Sequence, residues 1–256
     1  MSGNSSTKSL ALLVSHDSIT FLTKTDQHEE VFYSEPSHIK LEDLNQSVSY
    51  ERIENEIKSN LPLLLYYNRI IVCYQSTPTV VVPKAYISGD QEDVFISKPQ
   101  NFQNLLNLTS IDASIAYNNY GNLFKVFKNL ANFSNAIYTH SAKMLIENQE
   151  IDKENIQVFG QIINQKLELC IYNKGVFTLY NIYDIIGDED VVYHILNTIQ
   201  QLQLDQSQVV VSFKGGIDYT HVALEHLPKY VHNVSIDNEA HAQGPKYLLY
   251  KIFECE

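Results

Sequence analysis

One order of elements occurs twice along this chain, and few folds accommodate that. Residues 10–14 (LALLV) form an apolar run, and Ser15-His16-Asp17-Ser18 reads as a turn. Residues 19–23 then alternate as a strand, Thr25-Asp26-Gln27 reads as a second turn, and residues 31–33 as a third short strand. Tyr50, Ile53, Ile57 and Leu61 follow at helical spacing, with Pro62 ending that helix. Residues 69–74 (RIIVCY) read as a strand buried on both faces. The second half repeats the order. Residues 156–163 are a predicted strand, Asn164-Gln165 a tight turn, and Leu167, Leu169 and Ile171 alternate as a second strand. Asn173-Lys174-Gly175 is a hairpin signal leading into a strand over residues 176–180. Val191, Val192, Ile195, Leu196, Ile199 and Leu202 share one helical face, and residues 208–213 (QVVVSF) form another buried strand. A helix over residues 219–227, stopped by Pro228, closes the pattern; the two buried strands, from Arg69 and Gln208, start 139 residues apart.

Antiparallel hairpins that feed a helix and then a parallel strand imply a mixed sheet covered by helices. The expectation is an α/β chain of two duplicated lobes, 8–150 and 151–256, each a mixed five-stranded sheet flanked by helices, with a cleft between them. In the middle section Tyr120, Leu123, Phe124, Phe127 and Leu130 suit an amphipathic helix and residues 136–138 a short strand. Ser141 is the expected N-cap of a helix reaching Glu147. Residues 89–100 read as a polar loop, and residues 247–256 are apolar enough to dock back onto the body.

Composition removes several functions. Of 256 residues, 44% are hydrophobic and 19% charged, so a packed core is readily supplied. The net charge of -12 repels phosphate backbones, and the basic residues are scattered, so nucleic-acid binding is not expected. The N-terminal residues lack an apolar segment behind a basic one, and no apolar run approaches membrane-spanning length. The three cysteines, Cys73, Cys170 and Cys255, are far apart, as expected of reduced thiols. A cytoplasmic protein without membrane insertion is the expectation.

The second half, with LCIYNKGVFTLYN, DEDVVYHILNTIQQLQLD, VVVSFKGGID and LPKYVHNVSI, resembles an uncharacterised bacterial family of about this length. The resemblance covers nearly the whole chain. It implies an actin-like ATPase (ribonuclease H-like) fold and no assigned activity. More distantly the chain is similar to the actin-like adaptors of bacterial cell division and pilus assembly.

An ATPase of that fold grips phosphates with the first hairpin turn of each lobe. Asp-x-Gly serves there, because the carboxylate orders Mg2+ and the glycine lets the backbone approach closely. A Gly-Gly pair after the late strand of the second lobe passes the nucleoside. Here the first turn holds Ser15 and Asp17 but no glycine, and the second, Asn164-Gln165, holds neither an aspartate nor a glycine. Gly215-Gly216 fits the third element, although a glycine pair before a helix is also ordinary turn chemistry. Ser15, Asp17, Gly215 and Gly216 are therefore the residues of a degenerate nucleotide cleft. With both phosphate turns altered, metal placement and charge stabilisation are lost together.

Other clusters read as structural. His221 and His226 lie about 140° apart round a helix and cannot share a ligand face. Asp188-Glu189-Asp190 complements the first turn of a helix. No nucleophile, zinc-protease or P-loop motif occurs. The expected function is a non-catalytic adaptor, with no catalytic residue, metal or cofactor, that binds a protein partner, a second copy of itself included. The alternative is a nucleotide sensor or slow ATPase that takes ATP with Mg2+ in the cleft.

Overall fold

A computed structural model of the chain describes residues 7–27, 30–41, 44, 48–60, 67–87, 104–163, 165–215, 221–237 and 247–254. Pro62, Asn164, Gly216, Asp218, Tyr219, His241, Cys255 and the expected loop over 89–100 lie outside them.

The first sheet contains β1 (Thr7–Val14), β2 (Ser18–Gln27), β3 (Glu30–Tyr33), β4 (Ser37–Lys40), β5 (Arg69–Tyr74) and β9 (Ile137–His140). Its order is β3-β2-β1-β5-β9, with β4 also on β2. The second sheet contains β10 (Ile156–Ile163), β11 (Lys166–Asn173), β12 (Val176–Asp184), β13 (Val209–Phe213) and β14 (Asn233–Ile236), in the order β12-β11-β10-β13-β14. In each, the first strand pairs antiparallel with the second and parallel with the later strand β5 or β13, which pairs parallel in turn with the last strand, β9 or β14. The duplication is thus one of topology, with β3 and β4 together in the place of β12. Residues 24–27 of β2 pair with β3 and residues 18–21 with β4. Pro36, which has no N–H to give a ladder, stands between the two short strands.

Both faces of each central strand are covered. In β1, Leu10, Leu12 and Val14 join one core with Ile53 and Ile57 of α1 (Tyr50–Asn60) and Leu123, Val126 and Phe127 of α2 (Gly121–Asn129). Ala11 and Leu13 point the other way. They meet Met144 of α3 (Ser141–Glu147) and Leu248, Leu249 and Ile252 of the C-terminal helix, which packs on the body as expected. A period of two with both faces buried makes the sequence continuously apolar. The second sheet packs Ile156, Val158, Leu167, Leu169 and Val211 against Val191, Ile195 and Ile199 of α4 (Asp188–Gln201). Its opposite face sends Phe159, Cys170, Tyr172 and Tyr180 into the first core.

Several local expectations change. Thr25-Asp26-Gln27 is not a turn; β2 runs on to Gln27 because β3 pairs with it there. His140, not Ser141, caps α3: its Nδ1 accepts the Ala142 N–H at 3.0 Å, and the Ser141 hydroxyl is engaged elsewhere. The helix expected over 219–227 is α5 (Val222–His226), capped by His221, and Pro228 sits in the 3-10 turn that follows. A three-stranded antiparallel sheet, β6 (Thr79–Pro83), β7 (Asn104–Asn107) and β8 (Ala113–Tyr117), lies between β5 and α2 and had no sequence expectation. Asn173-Lys174-Gly175 does make the hairpin, with φ of 50° at Lys174 and 84° at Gly175, where a glycine is favoured. Cys73 and Cys170 are buried and take part in no disulfide.

Candidate functional site

The parallel strands β1, β5, β10 and β13 all end toward one cavity of about 310 Å3 between the sheets, the place where open α/β folds hold ligands. Leu13 comes from β1, Gln75 follows β5, Gln161, Ile162 and Ile163 end β10, and Lys214 and Gly215 follow β13. Ser18 and Thr20 of β2 and His38 of β4 form one rim, with Thr20 Oγ1 and His38 Nδ1 2.8 Å apart. The C-terminal helix, hereafter α6 (Tyr247–Ile252), covers another side with Tyr247, Leu248 and Leu249.

The first turn is closed on itself. The Ser15 hydroxyl lies 3.0 Å from Asp17 Oδ1 and 2.7 Å from Ser18 Oγ, and Ser18 Oγ lies 3.1 Å from the same carboxylate oxygen. The Ser15 N–H donates to the Ser18 carbonyl, and the Asp17 carbonyl accepts from the Leu41 N–H. Ser15 and Asp17 are therefore together, but in each other's bonds; of this turn Ser18 lines the cavity. Where the β10–β11 turn is described, Gln165 stands at φ 59°, with a side chain where a phosphate grip needs bare backbone. Gly215 does reach the cavity. It adopts φ 131°, which disfavours any side chain, and its carbonyl accepts the Ile162 N–H at 3.2 Å. A methyl added there would meet the Tyr247 ring at an ordinary 3.6 Å, so conformation rather than crowding selects glycine. The Gly216 position lies outside the described residues.

Beneath the cavity lies a carboxylate that the sequence reading missed. Glu168 of β11 is fully buried. Its Oε1 accepts from the Ser76 N–H at 3.0 Å, the Ser76 hydroxyl at 2.8 Å and the Ser141 hydroxyl at 2.7 Å, and its Oε2 from Gln161 Nε2 at 2.7 Å. Ser76 holds φ 50°, an uncommon conformation for a side-chain-bearing residue, and in it presents both donors to one oxygen. Ser76 and Ser141 flank the first sheet, whereas Glu168 and Gln161 belong to the second, so this carboxylate ties the two together. Burial and the adjacent Glu168 carboxylate push the Tyr180 phenol up. The available signal was a glutamate inside the apolar alternation LELCI.

Next to Ser141, His140 is fully buried, and burial lowers its pKa to about 3. Its Nδ1 accepts from a backbone N–H, so its proton sits on Nε2, 3.1 Å from Thr77 Oγ1 and 3.0 Å from Thr79 Oγ1. Around the cavity, Lys214 Nζ pairs with Asp237 at 2.9 Å and lies 5.4 Å from the Phe159 ring centre. The acidic run resolves as a cap: Asp190 accepts from the N–H groups of Ile186 and Gly187, bonds that hold its carboxyl below the usual range. Among the described residues no group of three or more metal-ligating side chains forms, and no helix is long and apolar enough to cross a membrane.

Two duplicated mixed sheets with a cavity at the ends of their parallel strands define the actin-like ATPase fold. The chain belongs to the family described as protein of unknown function (DUF3822), whose profile matches residues 2–234. A structurally similar protein is one from Bacteroides thetaiotaomicron VPI-5482, itself of actin-like ATPase fold and unknown function. It is 17% identical, with a TM-score of 0.76 over 97% of this chain and 96% of that one. The PilM-PilN type IV pilus biogenesis complex contains a second, at 10% identity and a TM-score of 0.52, over 95% of this chain and 96% of that one. At these identities the likeness shows the fold alone. No curated protein matches the sequence significantly.

Proposed function

We propose that this chain is a non-catalytic actin-like adaptor that works in the cytoplasm by binding another protein or a second copy of itself. We divide it into lobes 8–150 and 151–256, with α6 of the second lying across the first sheet. The observation that carries the reading is the state of the first turn. The Ser15 and Ser18 hydroxyls and Asp17 Oδ1 bond one another, so a phosphate or metal that used those atoms would have to displace these bonds. Phosphoryl transfer relies almost wholly on positioning and charge stabilisation, and neither phosphate turn supplies them. PilM, found with PilN in a type IV pilus biogenesis complex, is an example of such a fold in a complex with another protein. The test is phosphate release by the purified chain with Mg-ATP. Release no faster than in protein-free buffer is expected, and turnover of roughly 1 s⁻¹ or more, an ordinary enzyme rate, would sink the adaptor reading. Sedimentation of the same sample over a concentration series reads self-association.

A second reading has one observation in its favour: Gly215 and Ser18 line the same cavity. Under it the cleft is a nucleotide sensor or slow ATPase site. Calorimetric titration with Mg-ATP decides between them. Saturable binding lost on Gly216→Trp supports the sensor, and no heat at about 1 mM nucleotide, equivalent to no more than about 4 kcal/mol of affinity, removes it.

A further inference from the structure

α6 follows β14 of the second sheet in sequence, yet its seat is on the first sheet. Leu248, Leu249, Ile252 and Phe253 are buried there, in one cluster with Ala11, Leu13, Leu22, Ile71 and Met144. The Arg69 guanidinium donates to the Phe253 carbonyl at 3.1 Å, and the Tyr33 ring of β3 lies 4.7 Å from that of Tyr250. Six residues are far short of the roughly 12–15 at which a helix holds by itself, so the groove is what makes α6 a helix. Ten residues, 237–246, join β14 to α6, and such a length spans at most roughly 35 Å. Beside the seat the first sheet ends in β3, on which Phe32 and Tyr33 are 49% and 44% exposed. The corresponding edge of the second sheet is finished differently. On β12, Asn181 Oδ1 accepts the Ile182 N–H, and the Thr178 hydroxyl donates to the Val176 carbonyl. β3 carries exposed aromatic rings instead, the residue type enriched where proteins meet.

We propose that α6 is an exchangeable element: the groove on the first sheet takes the α6 of a second copy, and two chains trade C-terminal helices across a two-fold axis. Every contact of α6 with its seat is the same in the exchanged pair as in the single chain, so exchange gives up none of them. The short connection keeps the copies against each other. The surface beside the two seats is the aromatic edge of β3, which the pair then covers. This deepens the adaptor reading, on which it rests, by naming a second copy as the partner. The two fail separately. Mg-ATP turnover removes the adaptor reading, whereas a chain that stays single leaves that reading standing with another protein as partner.

The experiment uses the full chain as Tyr33→Cys/Tyr250→Cys, with Cys255→Ser to remove a background thiol. The chain is warmed at high concentration to just below its thermal transition, cooled, and separated by size with light-scattering detection. Each fraction is then treated with a short bis-maleimide and run on a denaturing gel. A dimer linked between chains is expected, beside a monomer fraction linked within the chain. A chain that remains monomeric overturns the proposal, as does a dimer without links between chains. If the cysteine variant does not fold, the parent chain decides. Excess peptide of residues 244–256, added during warming, is expected to fill the groove and cut the parent's dimer about tenfold. An unchanged dimer, or none without the peptide, overturns the proposal.

Discussion

Glu168 concentrates four hydrogen bonds on one fully buried carboxylate, and no lysine or arginine pairs with it among the described residues. Such a group is stable only while its donors stay aligned, because each unmet polar atom costs about as much as a hydrogen bond gives. Glu168→Ala strands Ser76, Ser141 and Gln161 together and should cost about 3–5 kcal/mol, read from urea unfolding midpoints. Glu168→Gln keeps the shape but turns an NH2 toward a donor, so it should fall between the two. An alanine variant within about 0.5 kcal/mol of the parent would mean water replaces the carboxylate without loss. His140 makes a second residue-scale claim. Its folded pKa of about 3 lies below the ordinary 6.5, so the unfolded chain binds the extra proton between those values. Stability contributed by the neutral imidazole is full above about pH 6.5 and is lost as pH falls toward 3, by up to about 5 kcal/mol. His140→Asn keeps an acceptor for the Ala142 N–H but cannot titrate. The loss of stability between pH 7 and pH 5 should be smaller in the variant by about 2 kcal/mol, and an equal loss would contradict buried neutral His140.

At the scale of elements, α6 closes the cleft and covers the second face of the first sheet. Leu249 is 1% exposed and packs in the cluster with Leu13 and Cys73, so Leu249→Ala should cost about 2–4 kcal/mol in urea unfolding. A cost under about 1 kcal/mol would mean that the helix is a loose cover. Gly215→Ala tests the turn on the opposite wall. Its φ of 131° strains any side chain although space is available, so a loss of about 1–2 kcal/mol is expected without any steric clash. The central strands, the hairpin at Asn173-Lys174-Gly175 and the faces of α1 and α4 were legible, because burial on both sides or on one stripe writes a direct periodicity. Other parts were not. β4 hides behind Pro36, and β6–β8 are short strands joined across a long sequence gap. Ser141 reads as a cap, yet its hydroxyl serves Glu168, a residue 27 positions away that local pattern cannot supply. The same holds for the site. Ser15 and Asp17 were visible as turn residues, but the role of Glu168, held by Gln161 of its own sheet and by Ser76 and Ser141 of the other, exists only once two sheets meet.

For the whole molecule, the question is whether two sheets of equal topology also fold as two units. Each has its own helix-covered face, which by itself would permit independent unfolding. The inner faces argue otherwise. Phe159, Cys170, Tyr172 and Tyr180 of the second sheet are buried in the core built on the first, and the Tyr172 hydroxyl donates to the Ile146 carbonyl of α3 at 2.8 Å. Opening the second sheet alone would expose those side chains and leave Glu168 without its partners from Ser76 and Ser141. Taking about 1.5–3 kcal/mol for each large apolar side chain uncovered, a separately opened lobe costs much of what holds the chain folded. Native-state hydrogen exchange on the two central strands, β5 and β13, tests this directly. Their opening free energies should agree within about 1 kcal/mol and match the value from global unfolding. A gap of about 3 kcal/mol or more, with β13 opening first, would mean that the shared core fails to couple the sheets. The duplication would then be one of folding units as well as of topology.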